Sequence, residues 1–157
     1  MESNKFDPKH VLGLQLAWIE RSDSKIFFLV SVCLAMMGSL VALLGEKDLA
    51  DIQFKVAVVL YFILSGVSLA SGIHATFPRL KGPDRSNIYF GGISNQSAGD
   101  YKANVISLSA EQNMKDEIDQ IHVNACIASR KYESVKFSFQ LFGFSVPFWF
   151  LSIYGAS

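Results

Sequence analysis

Three stretches of this chain run for the thickness of a bilayer with almost no charge. Ile26 to Leu44 is nineteen residues without a charge, Val56 to Phe77 is twenty-two with only His74 ionisable, and Phe137 to Tyr154 is eighteen with none. About twenty apolar residues form a helix that crosses the ~30 Å hydrocarbon core. Three transmembrane helices are therefore expected at 26–44, 56–77 and 137–154. The alternative, buried core helices of a soluble domain, fails on size, because a 157-residue chain cannot wrap three such helices in protein on every side. Composition agrees, with half of the residues hydrophobic and no net charge. The first run begins too deep, and Met36-Met37-Gly38-Ser39 is too poor a cleavage site, for a secretory signal peptide. It reads as an uncleaved anchor.

Three spans place the N-terminus and segment 78–136 on one side, and Gly45–Lys55 and the C-terminus on the other. The first side holds twelve cations: Lys5, Lys9, Arg21, Lys25, Arg79, Lys81, Arg85, Lys102, Lys115, Arg130, Lys131 and Lys136. The second holds Lys47 and Lys55. The positive-inside bias assigns the N-terminus and 78–136 to the cytoplasm. Cys33 lies in a span and Cys126 in the cytoplasmic segment, so no mutual disulfide is expected. The sequon Asn95-Gln96-Ser97 would face the cytoplasm and stay unmodified.

Asp7-Pro8 is a helix start, and no breaker follows until Gly45. The first span should thus continue a cytoplasmic helix over 8–25, with a stripe of Val11, Leu12, Leu14, Leu16, Trp18 and Ile19. Ile118, Ile121, Ala125, Ala128, Tyr132, Val135, Phe139, Phe142, Val146 and Trp149 alternate at three and four residues. That seam predicts one helix from about Met114 to Tyr154, with Pro147 inside it and its upper part docked on the N-terminal stripe. Turn signals at Gly82-Pro83-Asp84 and Gly91-Gly92 divide the intervening segment, and Asp100 to Gln112 suits a short amphipathic helix. The expected fold class is an all-α membrane protein. Three transmembrane helices, two of them continuing into a cytoplasmic helical bundle, make a single unit.

No phosphate loop, dinucleotide fingerprint or nucleophile elbow occurs, so no enzyme is expected. Asp119, His122 and Cys126 share helical spacing, but such a trio is more often a helix surface than a metal site. Small residues recur as Ser31, Ala35 and Ser39, and again as Ser65, Gly66, Ser68, Ala70 and Gly72. They suit close packing in one protomer, subunit association or a polar pore lining. Arg79, Arg85, Arg130 and Lys131 lie near the membrane, where anionic lipid would attract them. Arginine also clamps phosphate, and Tyr89 beside Asn87 and the glycines is able to stack on a base. The candidate ligand-binding residues are accordingly Arg79, Arg85, Asn87, Tyr89, Arg130 and Lys131, with a structural turn as the competing role for the Asn87–Gly92 stretch.

Arg21-Ser22-Asp23-Ser24-Lys25 before the first span, Phe77-Pro78-Arg79 closing the second, Ser86-Asn87-Ile88-Tyr89-Phe90-Gly91-Gly92-Ile93, and Ser129-Arg130-Lys131-Tyr132 before the third occur in that order. Together they resemble the transmembrane effectors of bacterial Pycsar antiphage systems, over roughly residues 10 to 155. The resemblance implies a non-enzymatic effector in the bacterial inner membrane, with its N-terminus cytoplasmic. It also implies a partner cyclase that makes a cyclic pyrimidine mononucleotide during infection. Binding of that ligand would impair the membrane and arrest or kill the infected cell. No resident cofactor and no nucleic-acid partner are expected, and the working form would be a homo-oligomer in the lipid bilayer. A constitutive membrane anchor or scaffold that recruits a cytoplasmic partner is the rival reading. The cation split makes one direct prediction: a reporter fused at Ser157 faces the periplasm and one at Ala98 the cytoplasm, and an inverted pair contradicts the arrangement.

Overall fold

A computed structural model describes residues 6–44, 52–77, 82 and 86–156. Among these residues all regular structure is helical: α1 (Pro8–Leu44), α2 (Ile52–Thr76), α3 (Phe90–Ser94), α4 (Ala98–Ser107) and α5 (Ala110–Ala156). Three of the helices, α1, α2 and α5, are long and apolar enough to cross a membrane. Asp7 starts α1 as expected, its Oδ1 accepting from the amides of Lys9 at 3.1 Å and His10 at 3.4 Å.

The start of α5 departs from the sequence expectation. Gln112 belongs to α5 rather than to the short helix before it, because Ser109 and Gln112 form a reciprocal cap. Gln112 N donates to Ser109 Oγ at 3.2 Å, and Ser109 N donates to Gln112 Oε1 at 2.9 Å. A second cap, with Asp100 N donating to Ser97 Oγ at 3.1 Å, starts α4.

The chain divides into two compact units, where sequence reading expected one. The first comprises Met1–Arg21 and Pro78–Arg130, the second Ser22–Phe77 and Lys131–Ser157. In the second unit the buried positions repeat at three and four residues on every helix. They are Ser22, Ile26, Leu29, Cys33 and Leu40 on α1; Phe54, Ala57, Val58, Tyr61, Ser65, Ser68, Gly72 and Ala75 on α2; Lys131, Val135, Ser138, Ser145 and Ser152 on α5. A repeat averaging 3.5 keeps one face of each helix turned to its partners. Trp149 Nε1 donates to Met36 O and to Ser39 Oγ, each at 3.2 Å, which joins α5 to α1. Ser68 Oγ donates to Ser138 O at 2.7 Å, which joins α2 to α5. Close approach of α2 relies on Gly72, where an added Cβ would lie 3.2 Å from Ile26 Cδ1.

The seam on the upper part of α5 needs correction. On the part of α5 within the first unit the buried residues are Glu117, Gln120, Asn124 and Ala128, whereas Ile118 is exposed, and Leu16 on α1 is exposed as well. These two are therefore not part of a dry core, while Leu12, Ile19, Ile121 and Tyr132 are half-buried. A count of apolar residues misses this face because amides and a carboxylate occupy it, linked along the helix by Asn113 Nδ2 donating to Glu117 Oε1 at 3.1 Å and Gln120 Nε2 donating to Asn124 Oδ1 at 3.4 Å. From Ala128 onward apolar pattern and burial coincide at Ala128 and Val135.

Two glycines test this packing. Gly72→Leu forces a side chain against Ile26 and should lower stability in detergent by roughly 1–3 kcal/mol. Gly66, with nothing within 4 Å of an added Cβ, should accept Gly66→Ala with a gain of about 0.5–1 kcal/mol. Thermal unfolding of both variants checks the pair.

Candidate functional site

The first unit is organised around the turn at Ser86–Gly92. Ser86 is buried, and its Oγ accepts from the amides of Ile88 at 3.1 Å and Tyr89 at 2.9 Å. Asn87 is held from two helices: its N donates to Asp116 Oδ2 on α5 at 2.7 Å, and its carbonyl accepts from Tyr101 OH on α4 at 3.2 Å. The Tyr89 ring packs over Phe90 at 4.7 Å and lies where a Cβ on Gly82 or Gly91 would stand. A Cβ on Gly92 would collide with the Ser86 carbonyl. The glycines thus have a steric role in closing the turn. Sequence reading missed Tyr101 and Asp116 because their partner Asn87 lies 14 and 29 residues away along the chain.

Beside the turn opens a cleft of about 530 Å³, lined by Asn87, Gln96, Asp100, Asn104, Ser107, Leu108 and Gln112. Gln96 is fixed at both ends, donating through Nε2 to Gly92 O at 3.0 Å and accepting at Oε1 from Asn104 Nδ2 at 2.8 Å. Asp100 is the charged member of this lining, and the rest is amide, hydroxyl and one leucine. Such walls exchange hydrogen bonds with a neutral polar group and repel a bare anion. Asn87 Oδ1 is buried and has no hydrogen-bond partner among the described residues.

The candidate residues do not all meet. Asn87 and Tyr89 share the turn, and Asn87 lines the cleft. Arg79 and Arg85 lie outside the described residues. Arg130 is exposed on α5. Lys131 is buried in the second unit, where its Nζ donates to Asp23 Oδ1 at 2.5 Å. Nearby, Lys25 lies over the Tyr132 ring at 5.0 Å. Among the described residues no group of three His, Cys, Asp or Glu side chains is placed to hold a metal, and Asp119, His122 and Cys126 are all exposed.

The second unit sorts its polarity in an order opposite to that of a soluble bundle. Six serines, Ser22, Ser65, Ser68, Ser138, Ser145 and Ser152, are fully buried, while Phe27, Phe28, Phe144 and Phe150 face outward. Ser138, Ser145 and Ser152 escaped the sequence reading, although their strict spacing of seven was visible in the third apolar run. Ser31, Ala35 and Ser39, which that reading offered for packing in one protomer, subunit association or a pore lining, are exposed.

Comparison with known proteins places these features in a family context. The family described as the Pycsar effector protein domain, PycTM, matches residues 9–156. The Pycsar effector protein PtPycTM of Propioniciclava tarda is 25% identical over 134 residues, covering 78% of this chain. The chain spans about 65% of that relative's length. No solved structure matches.

The Asp23–Lys131 pair yields a stability prediction. Lys131→Met leaves Asp23 without its cation, which should cost about 3 kcal/mol, near the low end for a buried pair because Asp23 keeps 31% exposure. Adding Asp23→Leu should restore most of the loss. A double-mutant cycle on unfolding in detergent checks the coupling, and additive losses would contradict it.

Proposed function

We infer the function from one premise: the chain belongs to the Pycsar effector protein domain family. It is a membrane effector domain of that family, and we propose that it acts in antiphage defence. In this reading a cyclic pyrimidine mononucleotide, made by a partner cyclase, binds the first unit. Binding shifts the spanning unit of several associated copies, which then impairs the inner membrane and stops or kills the infected cell. The N-terminus and segment 78–136 face the cytoplasm, where the ligand is made. The protein catalyses no reaction in this scheme.

The observation that carries the reading is the polar cleft beside the Asn87 turn. Its volume of about 530 Å³ falls within the ~300–1,000 Å³ of small-molecule sites. Amides and hydroxyls suit the edge of a base and the sugar, whereas the carboxylate of Asp100 turns the cyclic phosphate away from this wall. Arg79 and Arg85, which precede the turn in sequence, are proposed as the phosphate's cations. Tyr89 acts chiefly by shaping the turn, since its ring is packed against Phe90. A ligand changes such a protein only through different affinities for its resting and active states.

A scaffold role has one observation in its favour: Ile106 at 75% and Ile118 at 42% exposure give the first unit an apolar surface on which a protein partner could dock. Calorimetric titration of the detergent-solubilised protein with cyclic CMP, UMP, AMP and GMP separates the roles. The effector reading expects a cyclic pyrimidine nucleotide to bind. It also expects Asn104→Leu and Gln112→Leu each to weaken binding about tenfold, as loss of one hydrogen bond to a ligand does, with unfolding temperatures unchanged. Unaltered affinity in both variants moves the site away from the cleft, and no binding by the wild type removes the gating reading.

A further inference from the structure

Small residues alone would explain close packing between membrane helices, and alanine would serve that purpose without bringing a hydroxyl into hydrocarbon. The buried faces of α2 and α5 nevertheless collect hydroxyls, and they meet where Ser68 bonds to the Ser138 carbonyl. Tyr61, Ser65 and Ser68 on α2 and Ser138, Ser145 and Ser152 on α5 are all fully buried. Three have local or interhelical acceptors: Ser68 bonds to Ser138 O, Ser145 to Phe142 O and Ser152 to Phe148 O, each at 2.7 Å. Of the other three, Tyr61 and Ser65 stand one turn apart on α2 with their hydroxyls paired to each other, and Ser138 Oγ has no hydrogen-bond partner among the described residues. Ser138 Oγ is turned toward α2, lying 3.6 Å from where a Cβ on Gly72 would stand.

A hydroxyl without a partner in a membrane interior destabilises the arrangement that holds it there. Ser138 Oγ, held against α2 at Gly72, therefore makes the closed packing of α2 against α5 weaker than an alanine at that position would. It gains a partner when water enters. At the same Gly72 position α1 brings in Ile26, 3.2 Å from an added Cβ, and with the buried Leu29 and Leu40 it forms an apolar wall that excludes water while the helices are packed together.

We propose that the α2–α5 hydroxyl seam is the lining of a water-filled path that opens in the active state and passes water and small ions. The proposal rests on the membrane-impairing role inferred above and names the part of the protein that performs it. At rest the seam is dry and closed by the apolar residues of α1. When α2 and α5 separate, the unpaired hydroxyl hydrates, which favours the open arrangement by the contact the closed one lacks. The seam residues inside the predicted spans are neutral, so the path sorts solutes by size more than by charge.

The test uses purified protein in liposomes loaded with a small-ion indicator, exposed to cyclic CMP, UMP, AMP and GMP. Wild type should leak with at least one of them. The variant Ser138→Ala should unfold at a higher temperature, because it loses an unpaired hydroxyl, yet leak several-fold more slowly. The variant Ser138→Thr, which keeps the hydroxyl, should recover most of the leak. Equal leak from wild type and the alanine variant overturns the seam while sparing the effector reading. A lower unfolding temperature in the alanine variant also overturns it, since the hydroxyl would then be stabilising the closed state. Wild-type protein that leaks with none of the four removes the effector reading and the seam together.

Discussion

Hydrocarbon supplies no hydrogen-bond partner, so a chain that crosses it must satisfy each backbone amide within its own helices. That constraint makes α1, α2 and α5 uninterrupted through their apolar runs, α5 continuing through Pro147. It also removes the usual reason for a hydrophobic core, because lipid is as apolar as leucine. What holds the spanning unit together is then close contact and a few polar bonds. Gly72 lets α2 approach Ile26, Trp149 reaches the Met36 carbonyl, and Ser68 reaches the Ser138 carbonyl.

The same constraint governs the buried Lys131–Asp23 pair. Neither charge is placed in the apolar part of a span, and each neutralises the other where α1 and α5 enter the second unit. A lysine so engaged makes a poor ligand clamp, and its lone charge would be expensive without Asp23. Sequence reading put Lys131 among ligand-binding cations because the sequence shows cations near a membrane but not which of them is paired. Asp23 stands 108 residues away.

What was legible in the sequence is what depends on local periodicity. The three spans, the helix start at Asp7-Pro8 and the long final helix follow from apolar runs and caps a few residues long. The polar face of α5 at Glu117, Gln120 and Asn124 was hidden, since a search for apolar seams passes over amides. Likewise the stretch Ser86–Gly92 announced itself through its glycines, but the reason lay in tertiary contacts. Tyr89 fills the space above Gly91, and Asp116 and Tyr101 hold Asn87. The cleft was equally hidden, because Asn87, Gln96, Asn104 and Gln112 converge only after α4 and α5 have formed.

The central claim is that the inward-facing hydroxyl seam of the spanning unit changes from dry to hydrated when the effector acts. Its most direct test is the reactivity of single cysteines toward a charged, membrane-impermeant thiol reagent, with Cys33 and Cys126 first replaced by alanine. In liposomes, Ser138→Cys should resist the reagent at rest and react once a cyclic mononucleotide that triggers leak is added. Phe144→Cys, exposed on the outer face of α5, should resist throughout because lipid covers it. Leak that proceeds while Ser138→Cys stays unreactive, or a Ser138→Cys that reacts fully at rest, would contradict the account.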